Sequence, residues 1–168
     1  MSKAATTGTI MNKDKIRQFT VRITESNRTE LIAVMYDMME TYFDDAYQAW
    51  EHADNDAFKQ HIRGADRVLK ELSDILDFKY EISGNLYALY TWCRQQLSLT
   101  ITRNNLTGIE NAKRVLIPLG DSFRKLAKED QSGPIMKNRE TVTYGATYGR
   151  SDITESVGAS DTNRGYFA

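Results

Sequence analysis

The sequence predicts an all-α fold, an antiparallel four-helix bundle with an N-terminal arm and a disordered C-terminal tail. Apolar residues recur every three or four positions in four segments between residues 26 and 130, which is the period of an amphipathic helix. The seam of the second segment has the heptad-like spacing typical of near-antiparallel packing. From residue 131 the chain is rich in Gly, Ser and Thr and has no apolar period. We therefore divide the chain into an arm (1–25), a bundle (26–130) and a tail (131–168).

The composition argues against several classes of partner. The 168 residues include 22 basic and 23 acidic side chains, so no excess of positive charge suggests binding to nucleic acid. The chain has no apolar run near the ~20 residues of a transmembrane helix, so we expect no membrane insertion. Its N-terminus lacks the apolar region of a secretory signal. The single cysteine, Cys93, lies in an apolar helical stripe and predicts a buried, inert thiol, which suits a reducing cytoplasm.

The N-terminal segment does not show one clear period. Its apolar residues Ile16, Phe19, Val21 and Ile23 are spaced 3-2-2, which is neither a helical nor a strand pattern. We interpret this segment as a loose arm that can lay a few apolar side chains on the bundle. A disordered tail is the alternative.

The first long helix is predicted over about residues 28–52. Asn27 can cap it, and Glu30, three residues later, completes a capping box. Its apolar stripes are rich in methionine, which can serve as core filler or as an adaptable binding surface. Of these two interpretations we favour the core.

The second helix is predicted over about residues 56–77. Gly64 lies inside it at a cost of about 1 kcal/mol in helix propensity, so it indicates a close contact between helices. The seam has 4-3-4-3-4 spacing and consists of Phe58, Ile62, Ala65, Leu69, Leu72 and Leu76.

The third and fourth helices are predicted over about residues 81–103 and 106–130, with a break at Asn104-Asn105. The third is the most apolar and aromatic part of the chain, and its apolar face is wider than one neighbouring helix needs. Pro118 lies inside the fourth helix, where it removes a donor, so we expect a kink or two helices that meet there.

The sequence shows no constellation for catalysis, metal binding or a cofactor. Neither His52 nor His61 has a carboxylate three residues before it, and both are expected to be surface side chains. The chain has no CxxC, no HExxH and no glycine-rich phosphate loop. The Asp44-Asp45 pair is most simply a solvated face. We therefore predict a protein that is not an enzyme.

Four segments, in this order and spacing, resemble the FliS family of flagellar proteins. They are ELIAVMYDMMETYFDDA, HIRGADRVLKELSDILD, EISGNLYALYTWCRQQL and LGDSFRKLA, and the likeness covers about residues 30–128. The sequence departs from the family in its lead-in to the first long helix, which has no proline. It also has Phe123 where the family often has tryptophan, and Pro118 is unusual for the last helix.

The resemblance implies an antiparallel four-helix bundle that acts in the cytoplasm as an export chaperone. Such a protein binds the disordered C-terminal segment of flagellin, blocks premature polymerisation and delivers the client to the flagellar type III export gate. Family members work without cofactor or catalysis. Their own N-terminal segment can occupy part of the client groove when the client is absent.

The resemblance and the periodicity together suggest where a client binds. The predicted contacts are Phe19 and Ile23 of the arm, the third-helix residues Asn85, Leu86, Tyr87 and Tyr90, and Phe123 of the fourth helix. In the third helix, Ile82, Leu89 and Cys93 are expected to face inward, and Asn85, Tyr87 and Tyr90 to lean outward. Asn85 either caps an internal turn or holds a client backbone. The rival hypothesis is a helical module that self-associates through the same face, as a homodimer, without a client.

Overall fold

The computed structural model describes residues 11–136, and in this range the chain is helical with no strand. This confirms the all-α prediction for the described residues. The predicted disorder of the tail concerns mainly residues 137–168, which lie outside them, as do residues 1–10. No helix within residues 11–136 is both long and apolar enough to cross a bilayer. The helices of this range are α1 (Lys13–Glu25), α2 (Arg28–Glu51), α3 (Asn55–Asp74), α4 (Glu81–Arg103) and α5 (Thr107–Glu129).

The four long helices each pack against two of the others. Helix α2 contacts α3 and α5, and α4 also contacts α3 and α5, while α1 packs against α2. The core between them is built from all four long helices, because their apolar stripes can leave water only by facing one another. The largest fully buried side chains are Met11, Tyr36, Met39, Phe43, Phe58, Ile62, Leu69, Leu72, Tyr90, Leu97, Ile109 and Leu116.

Helix α1 replaces the loose arm that the sequence suggested. Asn12 caps it by accepting a hydrogen bond from the backbone of Asp14. Lys15 pairs with Asp45 at 2.7 Å, and Arg22 pairs with Asp37 at 2.5 Å, so both ends of α1 are tied to α2. The apolar spacing concealed this helix because its apolar residues fall on two faces.

The inner face of α1 carries few apolar side chains. Phe19 packs against the core and Ile23 is half-buried, and these residues are four positions apart on one side of the helix. Ile16 lies on the same side, seven positions before Ile23, but is 46% exposed, while Val21 lies on the solvent side and is 50% exposed. A helix with so narrow an apolar stripe depends on its ion pairs with α2 as well as on burial.

Helix α2 begins as predicted. The side chain of Asn27 accepts a hydrogen bond from the Glu30 backbone at 2.8 Å, and the Glu30 carboxylate accepts one from the Asn27 backbone at 2.9 Å. Met39 is fully buried, and Met35 and Met38 pack against the core. The methionine-rich face is therefore core, which was the favoured interpretation.

Two glycines allow close helix contacts. At Gly64 of α3 a Cβ atom would lie 2.6 Å from Cδ1 of Tyr42, which confirms the predicted contact between helices. At Gly108 of α5 a Cβ atom would overlap the carbonyl oxygen of Gln96 and the hydroxyl of Thr100, both on α4. These glycines let α3 approach α2 and α5 approach α4 more closely than any larger residue would permit.

Helix α5 is one continuous helix across Pro118, so the expectation that two helices meet there is wrong. The proline side chain is exposed, and only one backbone donor is lost. Helix α4 ends where the sequence predicts, because Asn104 adopts a left-handed conformation with φ 49°.

Candidate functional site

Helix α4 carries three rows of side chains, and each row meets a different environment. The first row faces the core, and its members are buried: Leu86, Tyr90, Cys93, Leu97 and Thr100. The second row lies on the flank toward α5, because its member Gln96 accepts a hydrogen bond from Asn111 of α5 at 3.0 Å. The third row lies on the flank toward α3, because Arg94 pairs with Asp66 of α3 at 2.7 Å.

The core row corrects the expected orientation of Tyr90. Only 1% of Tyr90 is exposed, and its hydroxyl lies 2.7 Å from the hydroxyl of Tyr36, inside the core. Phe123 stacks on Tyr36 with ring centroids 5.5 Å apart. Burial raises the pKa of both tyrosines, so each keeps its proton. Tyr90 therefore leans inward, and Leu86 beside it is also buried.

The row toward α5 corrects the expected orientation of Ile82 and Leu89. Ile82 is 63% exposed and Leu89 is 38% exposed, whereas both were expected to face inward. Trp92 continues the row and is 39% exposed. The spacing of residues shows which of them share a face, but the positions of α3 and α5 decide which face is covered.

A matching row of apolar side chains runs along α5. Val115 and Leu119 pack against the edge of the core, and Leu126 is 50% exposed. Residues 115, 119 and 126 share the flank of α5 that carries Asn111, the residue bonded to α4. We call the resulting surface the α4–α5 face and define it by Ile82, Leu89 and Trp92 of α4 and Val115, Leu119 and Leu126 of α5.

The connection between α3 and α4 adds a second apolar surface. Ile75, Phe78 and Tyr80 are each at least half exposed, and the rings of Phe78 and Tyr87 meet edge to face at 5.8 Å. We call this surface the corner patch and define it by Ile75, Phe78, Tyr80 and Tyr87. A search for helical periods missed it because three of its members lie outside any helix. The signal in the sequence was the density of apolar residues in ILDFKYEI.

The seven predicted client contacts fall into separate places. Phe19 and Ile23 are half-buried on one side of α1, while Leu86, Tyr90 and the half-buried Phe123 belong to the core or its edge. Tyr87 belongs to the corner patch. The structure brings together Tyr90 and Phe123, both of which contact Tyr36.

Asn85 is the remaining predicted contact. It is exposed, and it lies on α4 between Ile82 and Leu89 in the row toward α5. Its side chain makes no hydrogen bond to the residues that the structure describes, so it does not cap a turn among them. A role in holding a client backbone stays a prediction.

Two titratable side chains that the sequence analysis singled out, Cys93 and His61, are buried. The pKa of the Cys93 thiol is raised to about 12 by burial, which agrees with the predicted inert thiol. His61 is 8% exposed, so the expectation of a surface histidine is wrong for this residue, and its Nδ1 has no hydrogen-bond partner among the described residues. Burial lowers the pKa of His61. Residues 11–136 contain no group of three or more side chains suited to hold a metal ion.

Comparison with known families gives one match. The family model described as "Flagellar protein FliS" matches residues 11–130, which is more than half of the chain and includes all five helices described above. No curated protein matches the chain significantly.

Proposed function

This chain belongs to the FliS family, and on that basis we propose that it binds the disordered C-terminal segment of flagellin in the cytoplasm. Membership of this family indicates a role as a flagellar export chaperone. In our proposal the bound client cannot polymerise prematurely and is delivered to the flagellar type III export gate. We interpret α2 to α5 as the antiparallel four-helix bundle that carries the client. The proposal needs neither a cofactor nor a catalytic step.

The observation that carries the proposal is the apolar surface left uncovered around α4. Ile82, Leu89 and Trp92 on the α4–α5 face keep between a third and two thirds of their surface in water. Contiguous exposed apolar side chains are unusual on a protein that acts alone and are typical of surfaces that bind a partner. An amphipathic helix of the client, laid along this face, would remove them from water.

The two apolar surfaces suggest how a client would lie. The corner patch also lies at the N-terminal end of α4, but on the flank toward α3, whereas Ile82 begins the α4–α5 face on the other flank. A client segment would have to cross the start of α4 to pass from the α4–α5 face to Phe78 and Tyr80. Such a path would wrap the client around the N-terminal end of α4.

The predicted contacts have different roles in this arrangement. Asn85 and Tyr87 are exposed and would touch the client directly, the amide of Asn85 by a hydrogen bond to a client backbone group. Leu86, Tyr90 and Phe123 support the surface from the core or its edge. Phe19 and Ile23 face α2 and would contact a client when α1 moves away from α2.

A calorimetric titration of the full chain with the last ~40 residues of flagellin from the same organism tests the proposal. We expect binding with a large negative heat-capacity change, because apolar surface is buried. Leu89→Asp should weaken binding by about tenfold or more, since it places a charge in the apolar contact. Val21→Asp, at an apolar position of α1 that is 50% exposed, is the matched control and should leave the affinity within about twofold. If the unmodified chain does not bind the peptide, the proposed function is wrong.

The rival function is self-association without a client. One observation favours it, because the α4 residues 82, 85, 89, 92, 96 and 99 have the 3-4-3-4-3 spacing of a coiled-coil seam. Sedimentation equilibrium of the full chain and of Leu89→Asp separates the two functions. A dimer that the substitution abolishes, together with an unchanged peptide affinity, would favour self-association.

A further inference from the structure

A cavity opens between α3 and α4, on the flank of α4 opposite the α4–α5 face. Its volume is about 410 Å³, which falls within the range of small ligand sites. Its floor is apolar, because Ile62 and Leu97 are buried core residues and Ile101 packs beside them. Its polar lining consists of Arg63, Asp66, Thr91, Arg94, Gln95 and Ser98.

The cavity lining contains more positive than negative side chains. Arg94 binds the Asp66 carboxylate through Nε at 2.7 Å and through Nη2 at 3.1 Å. A guanidinium has five N–H groups, and three of those on Arg94 donate to no acceptor within residues 11–136. Arg63 is exposed and makes no ion pair with the described residues. Two guanidinium groups and one carboxylate give the lining a net charge of +1.

We propose that this α3–α4 cavity binds a peptide segment of a second partner protein, with an aliphatic side chain on the floor and a neighbouring carboxylate against Arg63 and Arg94. The chemistry follows from complementarity. Carboxylate is the group that a guanidinium fork binds best, and an aliphatic side chain removes the apolar floor from water. Asp66 holds the fork of Arg94 in place before binding, which reduces the entropy lost when the partner binds.

The position of the cavity assigns it to a partner other than the client. Thr91, Arg94 and Ser98 lie on the flank of α4 toward α3, while Leu89 and Trp92 lie on the flank toward α5. A protein that fills the cavity therefore leaves the α4–α5 face open. On the flank toward α3 the predicted client contact nearest the cavity is Tyr87, one turn before Thr91. The chain would accept both partners at once, with the client ending its contact on this flank at Tyr87.

Two short peptides that differ in one group probe the cavity in the full chain. They are acetyl-Ala-Leu-Glu-Ala-amide and its glutamine counterpart, and the readout is the NMR shift of the arginine Nε–Hε signals. We expect the signals of Arg63 and Arg94 to move, and the acidic peptide to bind about fivefold more tightly. Arg63→Gln should remove this preference for the acidic peptide. Arg67→Gln, an exposed arginine of α3 outside the cavity, is the matched control and should retain it.

The outcomes separate this inference from the proposed function. Equal affinities for the two peptides, or an Arg63→Gln variant that keeps the preference, would overturn the cavity assignment. A further arm, which rests on the proposed function, repeats the titration with the flagellin peptide at saturation. Retained shifts support a second partner, whereas loss of the shifts would assign the cavity to the client and overturn the proposal. If the flagellin peptide does not bind, the proposed function fails, while the first two measurements still decide the chemistry of the cavity.

Discussion

The buried hydroxyl pair of Tyr36 and Tyr90 provides a direct test of how α2 and α4 pack. The two oxygen atoms lie 2.7 Å apart, and each residue is at most 1% exposed. A change of either tyrosine to phenylalanine keeps the ring but leaves the other hydroxyl buried without its partner. Such an orphaned group costs about 1–3 kcal/mol. We therefore expect Tyr36→Phe and Tyr90→Phe each to lower the free energy of unfolding by about 2 kcal/mol.

The double variant gives the decisive comparison. When both hydroxyls are removed, no unpaired polar group remains, so its loss of stability should be no larger than that of either single variant. The two substitutions should therefore be coupled by about 2 kcal/mol in a double-mutant cycle. Urea unfolding followed by circular dichroism measures the free energy of unfolding of all four proteins. The four values can be compared if the dependence of this free energy on urea concentration is the same for each protein. Single variants as stable as the parent, or effects that simply add, would refute the proposed contact.

The same variants show whether Tyr90 only supports the binding surface from the core or also contacts the client. Tyr90→Phe should leave the affinity for the flagellin peptide within about twofold, because its hydroxyl is bonded inside the core. A loss of affinity at unchanged stability would instead assign Tyr90 to the client contact.

The raised pKa values of Tyr36 and Tyr90 also predict an effect of alkaline pH on the free energy of unfolding. The protonated tyrosines favour the folded chain, so their contribution to stability is present below the unfolded pKa near 10 and is lost as the pH rises above it.

Four further predictions concern other residues. Gly108→Ala should destabilise the chain by about 2 kcal/mol or more in urea unfolding, because the added Cβ meets the backbone of α4. Gly84→Ala, with nothing within 4 Å of the new atom, should instead stabilise it by about 0.5–1 kcal/mol. Because the pKa of His61 is lowered in the folded chain, the free energy of unfolding should be highest above pH 6.5, the ordinary pKa of histidine in an unfolded chain. It should fall as the pH decreases below that value. His61→Phe should remove much of this dependence, whereas substitution of the exposed His52 should not, and thermal unfolding from pH 5 to 8 measures both. The buried Cys93 should react with a thiol reagent at least about 100-fold more slowly in the folded chain than in urea, and equal rates would contradict its burial.

The long helices could be predicted from the sequence because their signals are local. The capping box at Asn27, the left-handed stop at Asn104 and the regular seam of α3 each depend on residues a few positions apart. Helix α1 could not be predicted in this way. Its stability comes from contacts with α2, such as the pair of Lys15 with Asp45, which is distant in sequence.

The candidate site was predictable only in part. The sequence drew attention to α4 as a helix with more apolar surface than one neighbour could cover, and its exposed residues agree with that expectation. It did not show which residues were left in water, and it missed the corner patch and the cavity toward α3. The cavity depends on the approach of Arg63 and Arg94, which are on different helices, and no local pattern encodes that approach.

The stretch from Glu81 to Leu97 shows most clearly what the sequence determines and what the tertiary structure decides. By itself the sequence determined that this stretch is a helix, and the helical period places Leu86, Tyr90, Cys93 and Leu97 on one face, although Tyr90 was expected to lean outward. Only the tertiary structure decided that this face is the buried one, while Ile82 and Leu89 remain in water. A helix with apolar residues on more than one side can be buried in several orientations. The orientation adopted is the one in which the Tyr36 and Tyr90 hydroxyls pair and α5 approaches closely at Gly108, since both contacts depend on how separate helices pack.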